Sequence, residues 1–299
     1  MQLWRAAPLF TAAEAHRAFT ALREHAAALY AVHGTDHPLW SHVHRRGGSG
    51  GDPRDHIELP LHHQYTSTAA YMNLPAEARL ICAGLHDAAV AYAEEALQHP
   101  CVLPAARQEL LRDLGRRSVL RVLRYPAGSG CRPHVDPGVC TALLVGSAGG
   151  LEVNTTDALP PLSAARLGDY TGTVDGASSH AAVAAGPSVL DALPHWEPVV
   201  TAHAGEAAVM AGKTLEVVSG GALRGVLHRV RRDWATGVNG ADAAAAEMRF
   251  NVLVELRPTN PKRWYAAAAA ALTGAEVAQV TQVSPQPSHP STLSPTLHQ

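Results

Sequence analysis

The sequence lacks long apolar runs and clusters of one charge, and each absence argues against one class of protein. No stretch of its 299 residues approaches the roughly 18 consecutive apolar residues that a membrane span needs. Its 24 Lys and Arg residues nearly balance its 26 Asp and Glu residues, and they are scattered along the chain. The sequence therefore shows no basic patch for a nucleic-acid backbone or an anionic membrane, and it favours a small-molecule partner.

Cysteine is also scarce, and its spacing excludes two further classes of site. The four cysteines, Cys82, Cys101, Cys131 and Cys140, show no paired spacing of the kind that builds a zinc ribbon or a redox motif, so we expect reduced thiols. The first residues lack an apolar core followed by a small-residue cleavage site. We expect a soluble cytoplasmic protein, although the Ala- and Arg-rich start leaves import into an organelle open. The sequence gives no indication of the oligomeric state.

The first part of the chain, residues 1–117, is predicted to be a mainly helical region that packs on the core. Two sets of apolar residues recur at three- and four-residue steps, which is typical of helices that bury one face. These sets are Phe19, Leu22, Ala26 and Leu29, and Ile81, Leu85, Ala88 and Tyr92. Pro104 can open a further helix. The glycine- and charge-rich segment 44–56 is typical of a loop.

Residues 118–260 show a different texture, with short β-branched and apolar runs separated by Gly, Pro and Asp. Eight strand candidates follow one another: SVLRVLRY, VCTALLVG, LEV, WEPVV, AAVMAG, LEVVSGG, GVLHRV and RFNVLVEL. Without helices between them, they predict an antiparallel sandwich or barrel rather than a parallel sheet. The segment at about 154–195 is predicted to be an insertion loop. Residues 261–299 are predicted to be a helix followed by a disordered tail.

One short segment, RYPAGSGCRPHVDPG, carries a candidate metal site. Side chains alternate faces along an extended strand, so His134 and Asp136 project to the same side and can bind one ion. A later strand candidate, GVLHRV, supplies His228 as a third ligand. Two histidines and one carboxylate on one face of a metal leave the opposite positions open, which is the arrangement of non-haem iron(II) oxygenases.

The surroundings of these residues strengthen the prediction, because His-x-Asp alone is a weak signal among 18 histidines. The pair follows a strand and a Tyr-Pro turn, and His228 is followed by a strand in which Arg249 and Asn251 share a face. Other candidates lack such context. Glycine-rich GGSGG has no following Lys-Ser or Lys-Thr, so it is not a phosphate-binding loop. Glu206 and Glu216 show no carboxylate partner for glycosidase chemistry.

The ordered motifs YP, HVDPG, TALL, GLEV, SGG, LRGVLHRV and RFNVLVELRP resemble the isopenicillin N synthase-like group of 2-oxoglutarate- and iron(II)-dependent oxygenases. The resemblance covers about half of the chain, from Ser118 to Pro258. It implies a mainly β fold with flanking helices, whose core is a double-stranded β-helix, or jelly roll, with the metal at one open end.

The resemblance also implies roles for individual residues. It implies iron ligation by His134, Asp136 and His228. It implies that Arg249 anchors the distal carboxylate of 2-oxoglutarate, that Asn251 occupies the position of a family serine, and that Tyr125 contacts the cosubstrate. Leu123 departs from the pattern, because many members have an asparagine near the cosubstrate at that position.

The expected function is therefore that of a 2-oxoglutarate-dependent iron(II) dioxygenase. With Fe(II), 2-oxoglutarate and O2, such an enzyme would oxidise a small organic molecule by hydroxylation, desaturation or cyclisation. Two alternatives stay open at this point. One is an iron(II) oxidase that needs no oxo acid, and the other is a non-catalytic jelly roll that binds a ligand or a partner.

Overall fold

The structure is a computed structural model in which two antiparallel sheets lie beside a layer of helices. It describes residues 4–31, 43–46, 54–61, 69–114, 118–145, 149–155, 195–199, 205–234, 248–260 and 263–268. The strands are β1 (Trp4–Pro8), β2 (Val43–Arg46), β3 (Arg54–Leu61), β4 (Ser118–Pro126), β5 (Cys131–His134), β6 (Cys140–Leu144), β7 (Leu151–Asn154), β8 (Trp196–Pro198), β9 (Glu206–Ala211), β10 (His228–Val230) and β11 (Met248–Leu256).

The helices lie mostly in the first third of the chain, as their apolar periodicity predicts. They are α1 (Ala12–Ala31), α2 (Ala69–Met72), α3 (Ala76–Leu97), α4 (Pro104–Asp113) and α5 (Lys213–Val218). Pro104 occupies the first turn of α4, where its missing N–H leaves no hydrogen bond unmade. Within the described ranges, no helix combines the length and the apolar character that crossing a bilayer requires.

The strand order confirms the predicted jelly roll. A seven-stranded sheet, the major sheet, has the order β1-β9-β6-β11-β4-β3-β2, and a four-stranded sheet, the minor sheet, has the order β5-β10-β7-β8. The consecutive strands β4 to β11 are thus shared between the two sheets, with β4, β6, β9 and β11 in the major sheet. Strands β1, β2 and β3 extend the major sheet at its two edges.

The two faces of the major sheet differ in chemistry. Residues directly opposite in neighbouring strands share a face, and the register places Tyr125 opposite Arg249 and Thr141 opposite Glu255. The hydroxyl of Thr141 donates a hydrogen bond to the side chain of Asp136, which follows strand β5 of the minor sheet. We call this face, which looks towards the minor sheet, the inner face. It carries several polar side chains.

The outer face of the major sheet is apolar and packs against α3. Val252 lies opposite Val122 in β4 and opposite Leu144 in β6, and all three are buried. Helix α3 crosses β6, β9 and β11, and the thiol of Cys140 donates to the carbonyl of Ala89 in that helix. The hydrophobic core therefore lies between α3 and the major sheet, which leaves the space between the two sheets for polar side chains.

Two segments differ from their predictions. The predicted loop 44–56 is in part strand, because residues 43–46 pair with residues 54–57 of β3 at the edge of the major sheet. The strand candidate LEVVSGG forms helix α5 instead. Its residues are buried on all sides, so its β-branched composition does not distinguish a strand from a buried helical turn. Gly220 and Gly221, both with positive φ, end this helix.

The remaining predictions fall mostly outside the described residues. Of the predicted insertion loop, residues 156–194 lie outside the described ranges. Of the predicted C-terminal helix, residues 263–268 are helical and the rest of the segment 261–299 is not described. The short helical segment 263–268 places the buried Tyr265 against the loop that carries Asp136.

Helix α3 supplies a test of this packing. Ile81 is fully buried, whereas its neighbour Leu80 is 55% exposed. We expect Ile81→Ala to lower the free energy of unfolding in urea by about 2–5 kcal/mol, because it removes buried methylenes and leaves a cavity. Leu80→Ala should change it by no more than about 0.5 kcal/mol. Equal effects of the two substitutions would show that α3 does not bury this face.

Candidate metal centre

Three side chains from distant parts of the chain meet between the sheets. The Nε2 atom of His134 lies 3.5 Å from Oδ1 of Asp136, and Nε2 of His228 lies 3.8 Å from Oδ2 of the same carboxylate. The candidate ligand atoms of the three residues all lie within 4.8 Å of one another. Atoms this close together could hold one ion at bond lengths of about 2.0–2.2 Å.

Strand pairing brings the two imidazoles side by side. In the minor sheet, His228 of β10 is the direct partner of His134 of β5. The ring centroids are 4.3 Å apart with the planes tilted by 49°. Asp136 follows two residues beyond the end of β5, where the chain leaves the sheet. The structure therefore brings together all three of the predicted metal ligands.

Hydrogen bonds fix the orientation of each ligand. The Nδ1 atom of His134 lies 2.8 Å from the carbonyl of Arg132, and Nδ1 of His228 lies 3.1 Å from the carbonyl of Val226. Each Nδ1–H therefore donates to a backbone oxygen, which leaves Nε2 as the lone-pair donor to a metal. Thr141 donates its hydroxyl to Oδ2 of Asp136 at 2.6 Å.

The loop that carries Asp136 is held by hydrogen bonds from several elements. The backbone N–H of Gly138 donates to the buried carboxylate of Glu255 at 2.9 Å. Lys213 donates its N–H to the carbonyl of Asp136 at 2.8 Å, and both Thr214 and Tyr265 donate hydroxyls to the carbonyl of Pro137 at 2.8 Å. A loop anchored in this way presents its carboxylate in one position.

The segment before His228 has a similar anchor. The carboxylate of Glu216, which is fully buried in α5, accepts from the N–H of Gly225 at 3.3 Å and lies 3.7 Å from Nε of Arg224. Gly212, just before α5, passes so close to the Asp136 loop that a Cβ would lie 2.2 Å from the carbonyl oxygen of Gly138. Glycine is required here by this close approach.

The electrostatics of the site keep two of the three candidate ligands in the form that binds a metal. Burial raises the pKa of Asp136, but His228, His134 and the Thr141 hydroxyl outweigh it and hold the pKa well below its usual range. Burial, followed by the charge of His134, lowers the pKa of His228 to about 4. The cluster therefore holds one ionised carboxylate beside one neutral imidazole at neutral pH. Both are in the form that binds a metal.

The proposed cosubstrate residues lie on the inner face of the major sheet. Tyr125 and Arg249 are direct partners in β4 and β11, and Cζ of Arg249 lies 5.4 Å from the centroid of the Tyr125 ring. Arg249 is fully buried, and its Nε donates to the carbonyl of Gly149 at 2.8 Å. Asn251 is buried two residues further along β11, opposite Leu123.

Two residues near the site were missed by the sequence interpretation. Nη1 of Arg54 lies 2.6 Å from Sγ of Cys131, and Cys131 Sγ lies 3.6 Å from Nδ1 of His134. Burial raises the pKa of the Cys131 thiol, but Arg54 and His134 outweigh it and lower the pKa to about 6. Arg54 lies in the segment that was predicted to be a loop, and Cys131 was predicted only to be a reduced thiol.

The chain is similar to known proteins in structure but not in sequence. No model of a known protein family matches the chain, and no curated protein sequence matches it. Among solved structures, a provisionally assigned oxygenase of Shewanella oneidensis is 14% identical, with a TM-score of 0.52 over 94% of this chain and 92% of that chain.

Two further solved structures carry ligands. JOX2 in complex with 2-oxoglutarate, iron and JA is 15% identical, with a TM-score of 0.52 over 86% of this chain and 68% of that chain. A full-length Neurospora crassa protein in complex with α-ketoglutarate, another name for 2-oxoglutarate, is 11% identical, with a TM-score of 0.50 over 86% of this chain and 76% of that chain. At these identities the likeness shows that the fold is shared.

The raised pKa of His134 predicts how metal binding depends on pH. Burial lowers the pKa of His134, but the opposite effects of Cys131 and Asp136 are larger and raise the pKa to about 10. A divalent ion binds neutral imidazole and must displace that proton. The affinity for Co(II), measured by anaerobic calorimetry, should rise by up to roughly tenfold per pH unit between about pH 6 and pH 8. An affinity independent of pH would contradict this assignment.

The hydroxyl of Thr141 is predicted to orient Asp136. Thr141→Val keeps the shape of the side chain and removes the hydrogen bond to Oδ2. We expect it to weaken Co(II) binding by about 10–100-fold, as is typical for partners of metal ligands. Thr155→Val is the matched control, because the exposed Thr155 donates to Glu197 instead. If both variants bind Co(II) like the unmodified protein, the Thr141 hydroxyl does not orient the ligand.

Proposed function

We propose that the protein is a 2-oxoglutarate-dependent iron(II) oxygenase of the isopenicillin N synthase-like group. The observation that supports this proposal is the convergence of His134, Asp136 and His228 in a jelly roll whose inner face also carries the buried Arg249. The fold shared with JOX2 and with the Neurospora crassa protein, both crystallised with the oxo acid, agrees with it. We infer a soluble, cytoplasmic enzyme.

The donor set fits iron(II). Two imidazoles and one carboxylate are suitable ligands for a divalent first-row transition metal, and three ligands on one side leave positions for a cosubstrate and oxygen. Each imidazole is oriented by a backbone carbonyl at its Nδ1, and the carboxylate is oriented by the Thr141 hydroxyl. Bound together, iron(II) and 2-oxoglutarate couple the oxidative decarboxylation of the oxo acid to the oxidation of a substrate by O2.

Arg249 fits the distal carboxylate of 2-oxoglutarate. Burial lowers the pKa of Arg249 to about 10, although Tyr125 and Cys131 act in the opposite direction. An anion bound here would offset the cost of burying the guanidinium, and the planar fork of donors matches a carboxylate in bidentate fashion. Arg249 would thus fix one end of the oxo acid while the metal holds the other.

Tyr125 and Asn251 border the same position. Tyr125 is buried beside Arg249, so its ring would exclude water from the oxo acid. Its hydroxyl, which also interacts with Arg54, would help to position the oxo acid. Asn251 lies two residues from Arg249 on the same strand face, where its amide would serve as a hydrogen-bond donor to the same carboxylate. This arrangement favours an oxygenase that uses an oxo acid over an oxidase that does not.

The substrate is proposed to be a small organic molecule. The side chains of Asp136 and His228 are 12% and 8% exposed, whereas that of His134 is 28% exposed. The ligand cluster is therefore largely enclosed and opens on the side of His134. Such a site admits a small molecule and would exclude bulk water from the reaction. Hydroxylation, desaturation and cyclisation are all compatible with this chemistry.

Anaerobic titration of the iron(II) protein with 2-oxoglutarate tests the proposal. We expect the weak visible charge-transfer band of the chelate to appear, and we expect succinate to form when oxygen is admitted. Arg249→Met should raise the Kd for 2-oxoglutarate by roughly 10–100-fold, because it removes hydrogen bonds to a charged group. It should leave the affinity for iron(II) unchanged, since Arg249 is not a ligand.

Arg229→Met is the matched control for that variant. Arg229 is adjacent to His228, but its Nε donates to Glu152 and its guanidinium lies over the ring of Trp196, away from the ligands. It should bind 2-oxoglutarate like the unmodified protein. Oxygen consumption without succinate, unaffected by Arg249→Met, would identify an oxidase instead. Metal binding without a chelate band or oxygen uptake would identify a non-catalytic binding protein.

A further inference from the structure

Arg54 is a second arginine near the site, and it lies on a strand outside the core of the jelly roll. It begins β3, which pairs with β4 so that His56 lies opposite Leu123. Arg54 is two residues from His56 and therefore lies on the same inner face, in the row that Tyr125 and Arg249 occupy in the next two strands. The metal site and this row face each other across the space between the sheets.

The contacts of Arg54 connect it through Cys131 to the imidazole of His134. Its Nη1 atom lies 2.6 Å from Sγ of Cys131, which itself lies 3.6 Å from Nδ1 of His134. Arg54 also hydrogen-bonds to the hydroxyl of Tyr125. Arg54 is thus within two contacts of a metal ligand, whereas Arg249 lies against the ring of Tyr125. The two guanidinium groups are on different parts of the Tyr125 side chain.

Arg54 keeps its charge at this position. Burial lowers the pKa of Arg54, but the opposite effects of Cys131 and Tyr125 are larger and raise the pKa above its usual value. Arg54 therefore stays charged. The site therefore contains two guanidinium groups, of which that of Arg54 also contacts Cys131, and 2-oxoglutarate carries two carboxylates.

We propose that Arg54 is a positioning and specificity-determining residue that binds the carboxylate at the keto end of the oxo acid, next to the metal. A guanidinium has five N–H donors, so Arg54 can keep its contact with Cys131 and still bind a carboxylate. This proposal rests on the proposed function and adds a residue to it.

Anaerobic titration of iron(II)-loaded variants with 2-oxoglutarate tests the role of Arg54 through affinity and through the position of the charge-transfer band. Arg54→Met should raise the Kd by roughly 10–100-fold. It should also shift the band to shorter wavelength, because a cation beside the chelated end stabilises the electron-accepting keto acid. Arg54→Lys should recover part of both effects. Arg249→Met should raise the Kd without moving the band.

Arg124→Met is the matched control. Arg124 is half-buried on the same strand as Tyr125, but it alternates to the other face and pairs with Asp55. It should leave the Kd and the band unchanged. Co(II) affinity, measured in every variant, reports on the integrity of the ligand cluster and should be unchanged or slightly higher in Arg54→Met.

The outcomes separate this proposal from the proposed function. If the unmodified protein forms no chelate band, the proposed function fails and the role of Arg54 fails with it. If the band forms but Arg54→Met changes the Kd by less than twofold, or raises it without moving the band, Arg54 does not bind the keto end while the oxygenase proposal stands. Loss of Co(II) binding in both Arg54 variants would show a structural role and would also overturn the proposal.

Discussion

The site depends on keeping the carboxylate of Asp136 ionised in a buried place. Removing a carboxylate from water is costly unless charges and hydrogen bonds replace the solvent. Here the two imidazoles and the Thr141 hydroxyl provide that replacement. A divalent ion would add the largest compensating charge of all, so the arrangement that stabilises Asp136 is also suited to binding a metal.

Two further buried carboxylates hold the loops that carry the ligands. Glu255 accepts from the N–H of Gly138 and pairs with Arg121 and Arg257, and it lies behind the Asp136 loop. Glu216 accepts from Gly225, three residues before His228. Neither would touch a metal, yet each connects a ligand-bearing segment to a rigid element. The precision of the cluster thus arises from side chains in β11 and α5 that have no direct part in the chemistry.

The sequence predicted the features that depend on local alternation. His134 and Asp136 were found because they flank one residue after a strand, and His228 because it lies in a later strand candidate. The roles of Arg249 and Asn251 were implied by the family resemblance. Arg54 was not found, since its strand is second from the edge of the major sheet and follows a glycine-rich segment without apolar alternation. Helix α5 was misassigned, because burial on all sides removes the periodicity that separates helices from strands. The role of Glu216 depends on a backbone N–H that only the tertiary fold brings to it.

The claim that three residues hold one metal ion is tested most directly by locating that ion. Crystals grown without oxygen in the presence of Mn(II) and 2-oxoglutarate would show it by anomalous diffraction. We expect one peak per chain, within about 2.5 Å of Nε2 of His134, a carboxylate oxygen of Asp136 and Nε2 of His228. A peak elsewhere, or one that leaves His228 outside bonding distance, would contradict the assignment.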